Sequence, residues 1–365
     1  EKKNIKYPMV ELGEVLDYEQ PTKYIVDSVD YDDKYKTPVL TAGKTFVLGY
    51  TNEKNGIFQE KLPVIIFDDF TTATKFVDFP FKVKSSAMKI LHANNTKANI
   101  KFIFRAMQRI VFPINEHKRY WISEYSKIKI PLPPIEVQNE IVEQIEVKQS
   151  AIDHAKAIIS NLERERRYFG QSLRKLEGVK MVNLSDVCEI NRKTAEPTKL
   201  FGKDAFAYID ISSVENGTGN LNYENMILPS KAPSRARRII QNGDVLLSTV
   251  RPNLKAFAYL ENLPSKALAS TGFAVLTAKD NVLAKYVFHL LFADDLQNQM
   301  AGRMGKGSYP SINQDDVEQL SIPLPSLEIQ KKFVAEAEKE QQIINANKQL
   351  IEIYEQKISD VLREI

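Results

Sequence analysis

The sequence predicts an α/β (α+β) chain: two globular mixed α/β heads separated by an antiparallel coiled coil of two long helices, arranged as a pseudo-twofold repeat. Three observations carry this expectation. The segment Ile130-Pro131-Leu132-Pro133-Pro134-Ile135-Glu136-Val137-Gln138 returns as Ile322-Pro323-Leu324-Pro325-Ser326-Leu327-Glu328-Ile329-Gln330, and from Ile130 to Val142 seven of 13 positions are identical. Each copy is followed by apolar residues on an alternating four-three spacing, the period of one helix packed on another. Before each copy, short β-rich runs alternate with turn signals.

The elements follow in chain order. Met9-Val10-Glu11-Leu12-Gly13-Glu14-Val15 is echoed by Met181-Val182-Asn183-Leu184-Ser185-Asp186-Val187, so each half opens on a short strand. In the first head (1–134), Pro38 to Thr41, Phe46 to Tyr50, Leu62 to Phe67 and Phe76 to Val83 read as strands, with a turn at Asn55-Gly56. Ala98 to Val111 has helical spacing, with Ile100, Ile103, Phe104 and Met107 on one face. The first long helix (135–178) carries Ile141, Ile145, Ile152, Ala155, Ile159, Leu162, Phe169, Leu173 and Leu176 on its apolar stripe, interrupted by Lys148 and Arg166. Gly178 is placed to end it.

In the second head (179–325), Ala207 to Ile211, Ile239-Ile240, Asp244 to Val250, Ala256 to Leu260 and Gly272 to Thr277 read as strands, and Val282 to Met300 as a helix. The second long helix (326–365) repeats the stripe with Phe333, Ala337, Ile344, Ile351, Tyr354, Ile358, Val361 and Ile365, interrupted by Glu340 and Asn347. Pro134 suits a first helical turn and Ser326 an N-cap. Two readings of the helices are open: a pair packed on each other, or two surface helices each lying on its own head. A period held near 3.5 favours the pair.

Composition bounds the function. The 365 residues, with 43% hydrophobic and 27% charged, describe globular domains rather than disorder or low complexity. The longest apolar stretch, Tyr286 to Ala293, is too short to span a bilayer, and the charged opening Glu1-Lys2-Lys3 lacks the apolar core of a secretory signal, so a cytoplasmic location is expected. Cys188 is the single cysteine and the four histidines are scattered, which argues against disulfide frameworks and zinc clusters. A net charge of +3 permits a nucleic-acid partner without demanding one.

Catalytic and metal sites find no support. Asp68-Asp69 could form a metal or acid-base pair, but no lysine or glutamate follows at a nuclease spacing, and a loop-capping role is favoured. Gly217-Thr218-Gly219 resembles a phosphate loop only superficially and reads as a turn. Among basic clusters, Arg235-Ala236-Arg237-Arg238 has no acidic residue close in sequence, whereas His117-Lys118-Arg119 follows Glu116 directly. Lys306-Gly307-Ser308-Tyr309 is a third. Each reads either as a phosphate-neutralising patch or as solvated surface. Arg164-Glu165-Arg166-Arg167 lies on a helix, where ion pairs and solubility explain it more often.

The doubled Ile-Pro-Leu-Pro segment with its Glu-x-Gln, the run Asn242-Gly243-Asp244-Val245-Leu246-Leu247-Ser248-Thr249-Val250-Arg251-Pro252, and Ser308-Tyr309-Pro310-Ser311-Ile312-Asn313 resemble the specificity subunit of type I restriction-modification enzymes. Phe67-Asp68-Asp69-Phe70-Thr71 followed by Phe79-Pro80-Phe81 is similar to target recognition domains of that family. The resemblance covers essentially the whole chain. One departure is that His117-Lys118-Arg119-Tyr120-Trp121 stands in the first head where the Ser308-Tyr309 segment stands in the second.

The resemblance implies that 1–134 and 179–325 are target recognition domains, each reading one half of a bipartite duplex DNA target. The conserved spacer helices would fix the unread gap and dock two methyltransferase subunits, with restriction/motor subunits joining for cleavage. S-adenosylmethionine, ATP and magnesium would then belong to the partners, and this chain alone would be non-catalytic.

For DNA contact the expected residues are polar loop positions: Lys44, Tyr50, Thr51, Asn52, Thr71, Thr72 and Lys75 in the first head, and Arg251, Asn253, Lys306, Ser308, Tyr309 and Asn313 in the second. Lys, Arg and Asn suit guanine or adenine edges, whereas Ser, Thr and Tyr more often meet phosphates. The alternative is a non-catalytic protein scaffold with two adaptor heads; divergence of the heads between matched flanks argues against it. An enzyme with an unfamiliar site in one head is a further rival.

Overall fold

The computed structural model describes residues 7–43, 45–114, 116–305 and 310–364. Contacts divide the chain into two units, Glu1–His154 with Leu350–Ile365, and Ala155–Gln349.

The first unit is built around the strand Val64–Asp68, whose residues are all buried. Side chains alternate across a strand. Ile65 and Phe67 accordingly enter one core with Leu91, Phe102, Ile130 and Val142, while Val64 and Ile66 enter another with Leu40, Phe58 and Phe81. Burial on both faces explains why this run is continuously apolar rather than alternating.

The strand lies in a four-stranded antiparallel sheet ordered Leu16–Glu19, Met88–Ala93, Val64–Asp68, Thr74–Val77. A three-stranded sheet covers one face, with Thr37–Leu40 between antiparallel Val47–Thr51 and parallel Lys82–Val83. The helix Ile100–Met107 covers the other, burying Ile100, Phe102, Ile103 and Met107. The expected strand Phe76 to Val83 is two short strands on either side of Phe79-Pro80, where proline leaves no amide for a ladder.

The second unit repeats this plan. Val245–Ser248 is central and fully buried, with Val245 and Leu247 facing one core and Leu246 another. Its sheet is ordered Cys188–Ile190, Phe273–Ala278, Val245–Ser248, Phe257–Tyr259. The covering sheet again has a parallel pair, Phe206–Ile209 with Ala267–Ser270, flanked by Met226–Ile227 and by Ala236–Ile239. In the first unit the place of Ala236–Ile239 is held by a single bridge, Phe58 to Phe81. The expected helix Val282 to Met300 is two, Ala284–Leu290 and Asp294–Arg303. The break falls at Ala293, extended, after which Asp294 and Asp295 open a new first turn where acidic groups oppose the helix dipole.

The repeated flanks form a closed joint in each unit. Met9–Glu11 pairs antiparallel with Lys129–Pro131, and Lys180–Asn183 with Ser321–Leu324, so Val10 faces Ile130 as Val182 faces Ile322. The expected opening strands are therefore shorter than the echo, each turning into one helical turn, Leu12–Val15 or Leu184–Val187, closed by a capping box.

Gln138 and Gln330, both completely buried, lock the joints in the same way. Gln138 Nε2 donates to Pro133 O (2.8 Å) and Lys97 O (3.1 Å), while its Oε1 accepts from Asn99 N (2.8 Å) at the N-cap of Ile100–Met107. Gln330 Nε2 donates to Pro325 O (2.9 Å) and Asn281 O (3.2 Å), and its Oε1 accepts from Leu283 N (2.8 Å) at the N-cap of Ala284–Leu290. The repeated side chain thus pins a head helix to the root of a long helix.

The long helices are Ile135–Arg167 and Leu327–Arg363, with Ser326 Oγ accepting from Ile329 N at the start of the second. Within the second unit Arg166 meets Gln341, and three residues later Phe169 meets Phe333, with ring centroids 4.9 Å apart. As one number rises the other falls, so the chain at the end of the first long helix and in the short helix after it runs antiparallel to the second long helix. Within the first unit Ile145, Ile152 and Val142 are buried, and Arg109 donates to Leu362 O near the end of the second helix. Lys148, Arg166, Glu340 and Asn347, the polar interruptions of the stripe, are all half-buried on the seam.

The first long helix, expected to reach Gly178, ends at Arg167, and a short helix Phe169–Arg174 follows. Docking onto the second head breaks it. Gly170 is buried where a Cβ would stand 2.9 Å from Asp295 Oδ2, and Arg174 Nε lies 3.4 Å from that carboxylate. Leu176, assigned to the stripe, is exposed.

Candidate nucleic-acid interface

In each unit the chain leaves the central strand into a loop backed by a second segment. In the first head, Asp69 O accepts from Tyr120 N (2.9 Å); in the second, Thr249 O accepts from Ile312 N (2.9 Å). The stretches that differ in sequence, His117 to Trp121 and Pro310 to Asn313, therefore dock against equivalent loops.

Asp68-Asp69 builds the first loop. Asp68 Oδ1 accepts from Phe70 N (2.9 Å) and Thr71 N (3.2 Å), closing the turn. Asp69 Oδ1 accepts from Trp121 N (2.9 Å), and its Oδ2 pairs with buried Lys89 Nζ at 3.2 Å. Both carboxylates are thereby committed to structure. Thr71 is exposed at the loop tip, and Thr72 has a positive φ of 57°, its N donating to Asp68 O. Phe70 is stacked on His117 with centroids 4.8 Å apart and lies under the Arg119 guanidinium at 5.8 Å. Lys118 is tied to Glu116 and Glu124, which raises its pKa. Arg119 and His117 thus join Thr71 at this surface. Periodicity gave no signal for them, because their neighbour Phe70 is distant in sequence.

The remaining first-head candidates separate. Lys75 is exposed, its Nζ 5.8 Å from the Phe46 ring centroid. Lys44 lies outside the described residues. Tyr50, Thr51 and Asn52 stand at the other end of Val47–Thr51. There Tyr50 lines a cleft of about 530 Å³ with Lys36, Gln59 and Phe79. Thr51 is buried, its hydroxyl accepting from Glu53 N, while Asn52 is exposed.

Among the described second-head candidates, Arg251 and Asn313 lie on neighbouring segments. Arg251 N donates to Pro310 O (2.8 Å) and Val250 bridges Ser311, so the motif ending in Arg251-Pro252 lies alongside the segment after Tyr309. Arg251 takes a left-handed conformation (φ 48°) at the start of the short turn Pro252–Leu254, on which Asn253 is exposed. Asn313 is exposed but works as an N-cap, its Oδ1 accepting from Asp316 N (2.9 Å). Lys306, Ser308 and Tyr309 lie outside the described residues.

The basic run Arg235–Arg238 divides. Arg235 is exposed and its carbonyl accepts from Thr271 N, next to Gly272, whose carbonyl accepts from Thr249 N. The Thr271-Gly272 turn thereby links the segment of Arg235 to the strand end that leads to Arg251. Arg237 pairs with Glu196 at 3.1 Å, a partner 41 positions away (237 − 196), and Arg238 is half-buried. Of the three arginines only Arg235 is free for phosphate.

The sequence matches the type I restriction modification DNA specificity domain family over residues 4–164 and again over 176–353, two copies in one chain. It is 33% identical over 357 residues to the EcoR124I/EcoR124II specificity subunit of Escherichia coli, covering 88% of this chain and 84% of that one. A shorter likeness, 30% over 105 residues, joins it to the HindI specificity subunit of Haemophilus influenzae, covering 28% of this chain and 23% of that one. The fold resembles the type I restriction-modification S subunit from M. genitalium, with a TM-score of 0.62 at 13% identity over 99% of this chain and 94% of the other. Two matched domains, each with a repeated joint and a loop surface built on the same sheet plan, place the chain in the type I restriction-modification DNA specificity family, as a DNA-recognition subunit rather than a catalytic one.

Proposed function

We propose that each head reads one half of a bipartite duplex DNA target, that the paired helices set the unread gap, and that they dock two methyltransferase subunits, with restriction/motor subunits joining for cleavage. The observation that carries this reading is the equivalence of the two loop surfaces. The same backbone bond from the same place in the same sheet supports Phe70-Thr71-Thr72 in one head and Val250-Arg251-Pro252 in the other. A shared scaffold with unlike side chains suits two readers of unlike sequences.

Each surface offers few cations, so each half-site alone would be held weakly. Joining two weak readers by stiff helices makes the second contact intramolecular and raises its effective concentration, provided the spacing matches. In this reading S-adenosylmethionine, ATP and magnesium act in the partner subunits, and the complex works in the cytoplasm where its DNA lies. No helix among the described residues is long and apolar enough to cross a membrane.

The test is to reconstitute the chain with methyltransferase subunits and map methylated adenines on random-sequence DNA. Two short motifs separated by a constant unread gap are expected. A single contiguous motif, or methylation without sequence preference, would overturn the proposal.

A further inference from the structure

Within the second unit, where the end of the first long helix meets the middle of the second, a cavity of about 170 Å³ is lined by Arg166, Arg167, Lys255 and Lys348, with Glu163 as its one carboxylate among the described residues. Gly217 and Thr218 form part of its rim. These residues come from both helices and from two loops of the head, so the fold brings Lys255 and Lys348 to the adjacent pair Arg166-Arg167.

The cations are not compensated in the usual way. Among the described residues, no carboxylate oxygen comes within ion-pair distance of any of the four. Arg166 is held by a neutral amide and an aromatic ring: its Nη1 donates to Gln341 Oε1 (3.0 Å) and its guanidinium sits 4.1 Å from the Phe292 centroid. Its buried Nε has no hydrogen-bond partner. His289, whose Nδ1 is 3.5 Å from Nη2, is neutral and offers no charge. Glu215, close to Lys348, is engaged by Thr218 Oγ1 (3.0 Å) and Asn220 Nδ2 (2.8 Å). Burial and the neighbouring arginines lower the Lys255 pKa, and burial lowers that of Arg166 to about 10, outweighing the opposite pull of Glu163, Glu340 and Asp294, none of which reaches ion-pair distance, so the enclosure resists the charge it contains.

Clustered cations with a dry, unpaired guanidinium N–H are the donor set that a tetrahedral oxyanion satisfies, through short charge-assisted hydrogen bonds. We propose that this cavity binds a phosphate-class oxyanion, stapling the head to the two helices. The oxyanion comes either free, as phosphate or a small phosphorylated metabolite, or as a phosphate of the DNA backbone. The Gly217-Thr218-Gly219 turn contributes shape rather than a phosphate loop: Gly217 N donates to Lys255 O (3.0 Å), and Gly219 is required because a Cβ would stand 2.5 Å from Phe288 Cζ.

Two measurements on the full chain decide it. Isothermal titration with inorganic phosphate, at fixed ionic strength in chloride, is expected to show saturable 1:1 uptake. Uptake should weaken at least ~10-fold in the double variant Lys255→Gln/Lys348→Gln and persist in Lys255→Arg/Lys348→Arg, which also shows that the pocket tolerates substitution. If the source is DNA, phosphate alone gives no saturation. Binding of a duplex of unrelated sequence then loses between about one and two from its slope of log affinity against log salt in the glutamine variant. Phosphate uptake absent or equal in both variants, together with an unchanged salt slope, would refute the proposal. Target reading is measured separately by methylation mapping, so either conclusion can fail while the other stands.

Discussion

Gln138 and Gln330 show how a single side chain can hold a joint that neither hydrophobic burial nor helix propensity would specify. Each satisfies three backbone groups, two carbonyls and one amide, in a dry pocket. Gln330→Leu keeps the volume but leaves those groups without partners. The expected loss is roughly 2 to 4 kcal/mol of unfolding free energy in the second unit, with little change in the first. Denaturant unfolding followed at each unit measures it, and an unchanged midpoint would show that water replaces the amide.

His289 supplies a pH dependence. Burial, with Arg166 and Lys285 nearby, pushes its pKa down to about 3 from an ordinary 6.5. Between those values the unfolded chain binds a proton that the folded chain refuses, so stability rises with pH across that window and is lost as pH falls below about 6.5. The slope is about 1.4 kcal/mol per pH unit while the two states differ by one proton. A melting series from pH 7 to pH 5 should fall, and His289→Gln should flatten the fall. An equal slope in the variant would assign the dependence to other groups.

At the scale of elements, the paired helices combine a tight apolar seam with polar interruptions at Lys148, Arg166, Glu340 and Asn347. Such residues fix register at some cost in stability. Because each long helix begins in one unit and ends in the other, its length should be read out as gap length. One turn added to both helices at matched positions lengthens the strut by about 5.4 Å, against about 3.4 Å per base pair. Mapping methylated sites should therefore reveal a gap longer by one to two base pairs with both half-motifs retained. A gap identical to the original would mean that the helices do not set it.

For the whole molecule, the separation of reading surfaces into two units predicts independent half-sites. Arg251→Ala should relax or abolish preference in one half-motif, by about 1 to 3 kcal/mol at a directly contacted base pair. The other half-motif and the gap should be unaltered, and the same mapping checks both. Loss of both motifs together would show that the units do not read separately.

The heptad spacing, the doubled Pro-containing joint and the alternation of short apolar runs were enough to predict two mixed heads and an antiparallel helix pair. All three are periodic or repeated, and periodicity survives in one dimension. Contacts between distant segments do not. The break at Arg167 depends on Gly170 meeting Asp295, and the division of the Arg235–Arg238 run depends on Glu196 reaching Arg237. Thr51 and Asn313 offered the right chemistry as loop residues, but folding engages Thr51 in a buried turn and Asn313 in a helix cap. The sequence by itself determined the repeat, the helix period and the family. The tertiary structure alone decided which polar groups remain exposed, because a donor's availability depends on what three-dimensional packing brings within hydrogen-bond reach.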